Sequence, residues 1–363
     1  VRYRIWAAGT LLYDSYVSLP QYSVLEPKCK RERGKAGTVS FGLVPTHPLY
    51  NSLNRLTTEI VVKEDEKEIF RGRVYEIETD IWRQKNVTCE GDLSYLVDSL
   101  QPPDRHDKKN EDDVTSTTPN PWGDDSKTTT KTYTYVEQEG TKETVANHLR
   151  RLINTHNNQV DTWKRFTVGD ITIDEANTEV TFDASNYRET MNAIDSDIIN
   201  YYGGYLKTRR VGNTTYLDYV KENSGATTSQ TINFGKNMIE MSESLPSDEI
   251  FTVLVPIGDD NLTIAEVNNN SVEIQNVQGV AKYGKIYKTE SFSGVDDAAK
   301  LKSLAEKYMT KNYKADPVKF SITALDMKNL GVNADPFDVG YKIHVISPPH
   351  GIDRILECLS IEV

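Results

Sequence analysis

Residues 58–78 read TEIVVKEDEKEIFRGRVYEIE, and the class of the fold follows from them. Ile60 and Val62 share one face of an alternating pattern, the charged run KEDEKE supplies a turn, and Ile69, Val74 and Ile77 resume the apolar pattern on the return. A period of two broken by a charged turn predicts a β-hairpin, with Gly72 marking a bulge in its second strand. Outward from this hairpin, VRYRIWA (1–7), TVSFGLV (38–44) and IWRQKNVTCEG (81–91) read as further strands. DLSYLVDSL (92–100) then reads as a short helix, with Asp92 at its N-cap and Leu93, Leu96, Val97 and Leu100 at helical spacing. Pro102 and Pro103 stop it.

Residues 102–131 form a polar, Thr-rich, Pro-bearing run with too little apolar surface to offset ordering, so a loop or linker is expected. Trp122 is its one large apolar residue and is expected to pack locally. The next segment alternates element types. GTKETVANHLRRLINTHNN (140–158) carries the helical stripe Val145, Leu149, Leu152 and Ile153, and FTVGDITI (166–173) and TEVTFD (178–183) read as strands. NYRETMNAIDSDIIN (186–200) offers a second helix with Tyr187, Met191, Ile194 and Ile198 on one face, followed by a hairpin closed near residues 211–213. Beyond residue 239 the strands IFTVLVPIG (250–258), GVAKYGKIYK (279–288), VKFSITALDM (318–327), FDVGYKIHVIS (337–347) and RILECLSIEV (354–363) are expected. One helix interrupts them at about 295–313, capped by Asp296 or Asp297. The sequence therefore predicts an α+β, β-rich multidomain chain. Two β-barrel-like domains, 1–101 and 241–363, flank an α+β middle domain, 132–240, reached through the linker 102–131.

Chemistry is hard to find in this pattern. The nucleophile elbow, zinc-protease, P-loop, dinucleotide and calcium-loop motifs are all missing from the sequence. His148 and His156 lie eight residues apart on one helix, too far for a metal pair, and are expected on the surface. His344 and His350 flank SPP without a third ligand type, and Asn333, Asp335 and Asp338 fit an Asp-Pro turn more simply than a calcium site. KCKRERGK (28–35) reads as a flexible loop. Cys29, Cys89 and Cys358 have no paired spacing and read as packed, reduced thiols. No catalytic, cofactor-binding or metal residue is assigned. A formal net charge of −12 disfavours tight DNA binding, residues 1–10 lack the pattern of a secretion signal so export is not expected, and the sequence has no apolar run long enough to span a bilayer.

Several spaced phrases together resemble the phage tail hub proteins of the prophage endopeptidase tail, or tail-associated lysin, family. They are GRVYEIETD (72–80) with KNVTCEGDLSYLVDSLQPP (85–103), LINTHNNQV (152–160), the 201–220 hairpin with QTINFGKNMIEM (230–241), and ALDMKNLGVNADPFDVGYKIHVISPPHGID (324–353). The resemblance implies a non-enzymatic subunit of the tail tip or baseplate hub, present in the virion and in the host cytoplasm during assembly. It implies a homotrimeric ring of paired barrel-like domains, adapting symmetry beneath the distal tail protein and around the tape-measure protein. DNA would pass through it, and receptor-binding or lytic tail proteins would follow. Many relatives carry a cell-wall-cutting C-terminal domain, which is expected to be absent from this chain. Two rival readings are a peptidoglycan hydrolase and a carbohydrate-binding adhesin module that uses the twenty tyrosines for stacking.

Overall fold

The computed structural model describes residues 1–103, 143–180, 182, 187–292, 294–314 and 317–363, together with the backbone of four short strands between residues 103 and 143. In the first third, alternation becomes one antiparallel sheet. Its strands are β1 (Tyr3–Ala7), β2 (Thr10–Asp14), β3 (Leu25–Glu32), β4 (Thr38–Leu43), β5 (Glu59–Glu64), β6 (Lys67–Thr79) and β7 (Lys85–Gly91). The order across the sheet is β2-β1-β5-β6-β7-β4-β3, and the C-terminal strand Ser360–Glu362 completes it as the eighth. Ile5, Leu12, Phe41, Ile60, Val62, Phe70, Val74 and Val87 bury one face of the sheet in a common core. Each such burial contributes about 1.5–3 kcal/mol.

The expected bulge at Gly72 is not there. Gly72 pairs in register with Ile60 and Gly91. Its missing side chain is explained by close approach: a Cβ would lie 1.9 Å from the Glu90 carbonyl oxygen. The bulge sits at Tyr75, between Val74, opposite Cys89, and Glu76, opposite Thr88. Asp92 is the first residue of a 3-10 helix, Asp92–Asp98, rather than its N-cap, which is Gly91. The stretch IWRQ, expected as strand, forms the turn between β6 and β7.

Within 102–131, Val114–Thr117 pairs antiparallel with Lys127–Thr130, and His106–Lys108 pairs with Thr134–Val136 just beyond it, so strand pairing occurs where loop was expected. The side chains of 104–142, Trp122 among them, lie outside the described residues. Helix α1 (Val145–Gln159) starts at Thr144, whose side chain accepts from Asn147 N at 3.3 Å. Its stripe packs on the helical run that begins at Thr190 and passes through a π-helical turn, Asp195–Ile199. Tyr187 lies outside that run and is 67% exposed, while Ala193, Ile194 and Ile198 are buried. Tyr205–Val211 and Thr214–Val220 form the expected hairpin, with Gly212 at φ +60°, and Thr167–Ile171 adds parallel to it. Of TEVTFD, the described part contributes one bridge, Thr144 to Glu179; Thr181 and Asp183 lie outside the described residues.

The last third is built from small sheets. Thr227–Asn233 runs parallel to Lys342–Ser347, which pairs with Ile352–Glu357, and Met238–Ser244 pairs with Lys319–Ala324. Val253–Ile257 is flanked by Ile274–Gln275 and Tyr287–Ser291. GVAKYGKIYK departs from expectation, since its first half belongs to helix Val277–Tyr283, capped by Asn276. Helix Ala298–Asn312 is capped by Asp297, which accepts from Lys300 N at 2.7 Å. The architecture is β-rich α+β.

Candidate functional site

His148 and His156, expected on the surface, are both fully buried on the inner face of α1. His148 Nδ1 lies 2.6 Å from a Glu143 carboxylate oxygen and 3.1 Å from the Arg151 guanidinium, and its Nε2 lies 3.0 Å from Asp197. Arg188 holds the same Asp197 with two hydrogen bonds, of 2.6 and 2.9 Å, and Arg151 pairs with Glu143 at 2.9 Å. Burial works to raise both carboxyls, but these donors outweigh it and hold Asp197 and Glu143 below the ordinary carboxylate range. His156 accepts from Ser99 Oγ at 2.7 Å and donates from Nε2 to the Lys164 carbonyl at 3.1 Å. Burial lowers the pKa of this ring, so it stays neutral. A serine beside a histidine suggests a nucleophile. Here Ser99 is buried and the far ring nitrogen ends on a carbonyl, so neither an approach path nor a proton relay is present at this pair. The general rule that polar side chains stay outside missed both histidines. Their apolar stripe neighbours Leu149, Leu152 and Ile153 were the available signal, because His148, Leu152 and His156 follow one another at four-residue intervals.

The run 28–35 is a loop only in its last three residues, 33–35, which turn between β3 and β4. Residues 28–32 lie in β3. Arg31 pairs with Asp338 at 2.5 Å, and Arg33 pairs with Glu357 at 2.9 Å. Asp338 also takes Lys67 at 2.9 Å, so this carboxylate joins the first sheet to the last third of the chain. Asp335 accepts from Ser229 N at 3.2 Å, and Asn333 is exposed. His344 meets Asp353 at 2.6 Å and His350 meets Ser347 at 2.6 Å, each ring with its own partner. Among the described residues no three His, Cys, Asp or Glu side chains converge as metal ligands would. Burial raises the Cys29 and Cys358 thiols to about 11 and that of Cys89 further, so all three stay protonated and unreactive. No helix among the described residues is long and apolar enough to cross a membrane.

What the surface does offer is a projecting turn and a concavity. At the β6–β7 turn, Ile81 and Trp82 are 88% and 81% exposed. Asp80 Oδ1 accepts from Trp82 N at 2.9 Å and Gln84 N at 2.8 Å, and the Tyr50 hydroxyl donates to the Arg83 carbonyl at 2.5 Å. Lys85 reaches the Tyr50 carbonyl at 2.6 Å from below. The turn is thus held in shape while its two large apolar side chains stand in solvent. Nearby, Asn54, Arg55, Leu56, Tyr75 and Glu76 line an open concavity of about 640 Å³. Tyr75 is aimed outward by the bulge, and Leu56 carries a left-handed backbone, φ +63°, which a leucine rarely adopts. A second concavity of about 350 Å³ adjoins it across Leu56, lined by the ion pairs of Asp98 with Arg73 and Lys164.

The tail protein of Neisseria meningitidis MC58 superposes with a TM-score of 0.60 at 11% identity, covering 100% of this chain and 92% of that one. The 43 kDa tail protein of prophage MuSo2 from Shewanella oneidensis gives a TM-score of 0.55 at 9% identity, covering 99% and 92%. A search of curated proteins gave no match. Residues 226–362 match the family described as Prophage endopeptidase tail, a segment that includes Asp338 and the strand completing the first sheet. The family match is confined to residues 226–362, on a chain whose fold is similar along its length to those of the two tail proteins.

Proposed function

We propose that this chain is a structural subunit of a phage tail tip or baseplate hub. It works as a homotrimeric ring that matches the symmetry of the tail tube and lets tape measure and DNA pass. Its neighbours are the distal tail protein, the tape-measure protein and downstream receptor-binding or lytic proteins, and its setting is the virion. In this reading 1–101 and 241–363 are the two strand-built domains around the middle domain 132–240. The observation that carries the reading is a fold shared end to end with tail proteins, combined with a family match in the C-terminal third. The net charge of −12 supports a lumen that repels phosphate, so the genome slides without adhering.

Negative-stain imaging and sedimentation of the full chain, alone and with a distal tail protein, test this reading. Threefold rings with a hole wide enough for duplex DNA are expected, and monomers under both conditions would sink it. The family's name includes an endopeptidase, so zymography on cell walls tests the catalytic alternative. No lysis is expected, because the buried Ser99–His156 pair and the protonated thiols offer no activated nucleophile.

A further inference from the structure

We propose that the β6–β7 turn of one copy seats in the Leu56–Tyr75 concavity of the next copy, joining copies head to tail. This inference rests on the ring reading and names the contact that builds it. Both halves of the contact are present and preformed on one chain: a braced turn offering Trp82 and Ile81, and a concavity whose two apolar walls are set by a bulge and a left-handed leucine. Strained and bulged backbone of this kind gathers where a surface has work to do. At about 640 Å³ the concavity accommodates an indole ring and an isoleucine side chain.

Charge fits the same partner. Exposed Asp80 and Arg83 flank the turn, while exposed Arg55 and Glu76 rim the concavity, so each sign on one half can face its opposite on the other. Ile81 and Trp82 stand in solvent, so they do not fill the concavity of their own molecule. A second copy brings the two halves together. A contact between two different patches is either reciprocal about a twofold axis or heterologous; the head-to-tail arrangement proposed here is the heterologous form, which closes into a ring when the rotation permits.

The test places the photo-reactive residue benzoylphenylalanine at position 82 of the full chain, mixed with a ¹⁵N-labelled copy and illuminated. Mixed-isotope cross-linked peptides joining position 82 to 54–56 or 75–76 are expected. Arg83→Glu should cut their yield at least about tenfold, and adding Glu76→Arg should restore it. Separately, Trp82→Ala should weaken self-association about thirtyfold with an unchanged melting temperature, because the side chain touches little in its own molecule. Rings that form without these cross-links, or that persist undiminished in Trp82→Ala, overturn the contact and leave the ring reading standing. The cross-links in open filaments support the contact and overturn the ring. A chain that stays monomeric at the illuminated concentration, with no mixed-isotope peptide, overturns both.

Discussion

Asp92 is an instance of a charge the fold tolerates at a cost. Burial raises its carboxyl to about 6, and the hydrogen bonds from Thr208 and the Leu93 amide only partly oppose that. A carboxyl whose folded pKa lies above its unfolded value destabilises the fold when ionised, so the chain gains stability as pH falls from about 6 toward 4. Asp92→Asn keeps an acceptor for Thr208 and removes the charge. It should raise stability at pH 7–8 by about 1–2 kcal/mol, a gain that vanishes near pH 4 in thermal melts. Asp197 behaves in the opposite sense. Its folded pKa is depressed, so its contribution is complete above the ordinary carboxylate range and is lost as pH falls through the folded value. Asp197→Asn leaves the Arg188 guanidinium short of its anion at a buried site and should cost about 3 kcal/mol at neutral pH, with a flatter stability profile below pH 4.

At the scale of elements, the hairpin β5–β6 was legible because alternation and a charged turn are local signals, and helix Ala298–Asn312 because its cap and stripe lie within one window. The π-turn Asp195–Ile199 and the helix Val277–Tyr283 were not, since tertiary packing and a Gly-rich context decide them. Trp82 was misread for a similar reason: an apolar pair next to a strand pattern looks like its continuation, and only the Asp80 turn shows that the pair projects. The projecting turn and the concavity had no sequence signature at all, because a bulge position and a left-handed leucine depend on register between distant strands. The strand Ser360–Glu362 was legible as a strand, but its partner was not, since β3 lies more than three hundred residues away. It covers Cys29, bonding Cys29 N to the Val363 carbonyl at 2.8 Å. Ile361→Pro removes a donor from this short ladder, so Cys29 should react with iodoacetamide at least about tenfold faster while β5–β7 stay protected in hydrogen exchange. An unchanged alkylation rate would mean that the strand adds nothing to closure of the sheet.

For the molecule as a whole, that strand and the Asp338 seam bind its first and last thirds into one unit. Arg31 and Lys67 reach across from the first sheet to Asp338, Arg33 reaches Glu357, and Ser360–Glu362 is itself part of the first sheet. The family-matched segment 226–362 is therefore short of its partners when taken alone: its last strand has no β3 to pair with, and the Asp338 carboxylate has no cation from the first sheet. Asp338 is largely removed from water. Burial tends to raise its carboxyl, and Arg31 and Lys67 more than reverse that, so the seam is complete above the ordinary carboxylate range and fails as acid titrates it. Asp338→Asn should destabilise the full chain by about 1–3 kcal/mol, because two cations lose their anion at a largely desolvated site. Hydrogen exchange should then rise in Lys342–Ser347 and in β3 together, the two sides of the seam. Exchange rising on one side alone would show that the thirds are held by separate contacts, and that the first and last parts of the chain move independently.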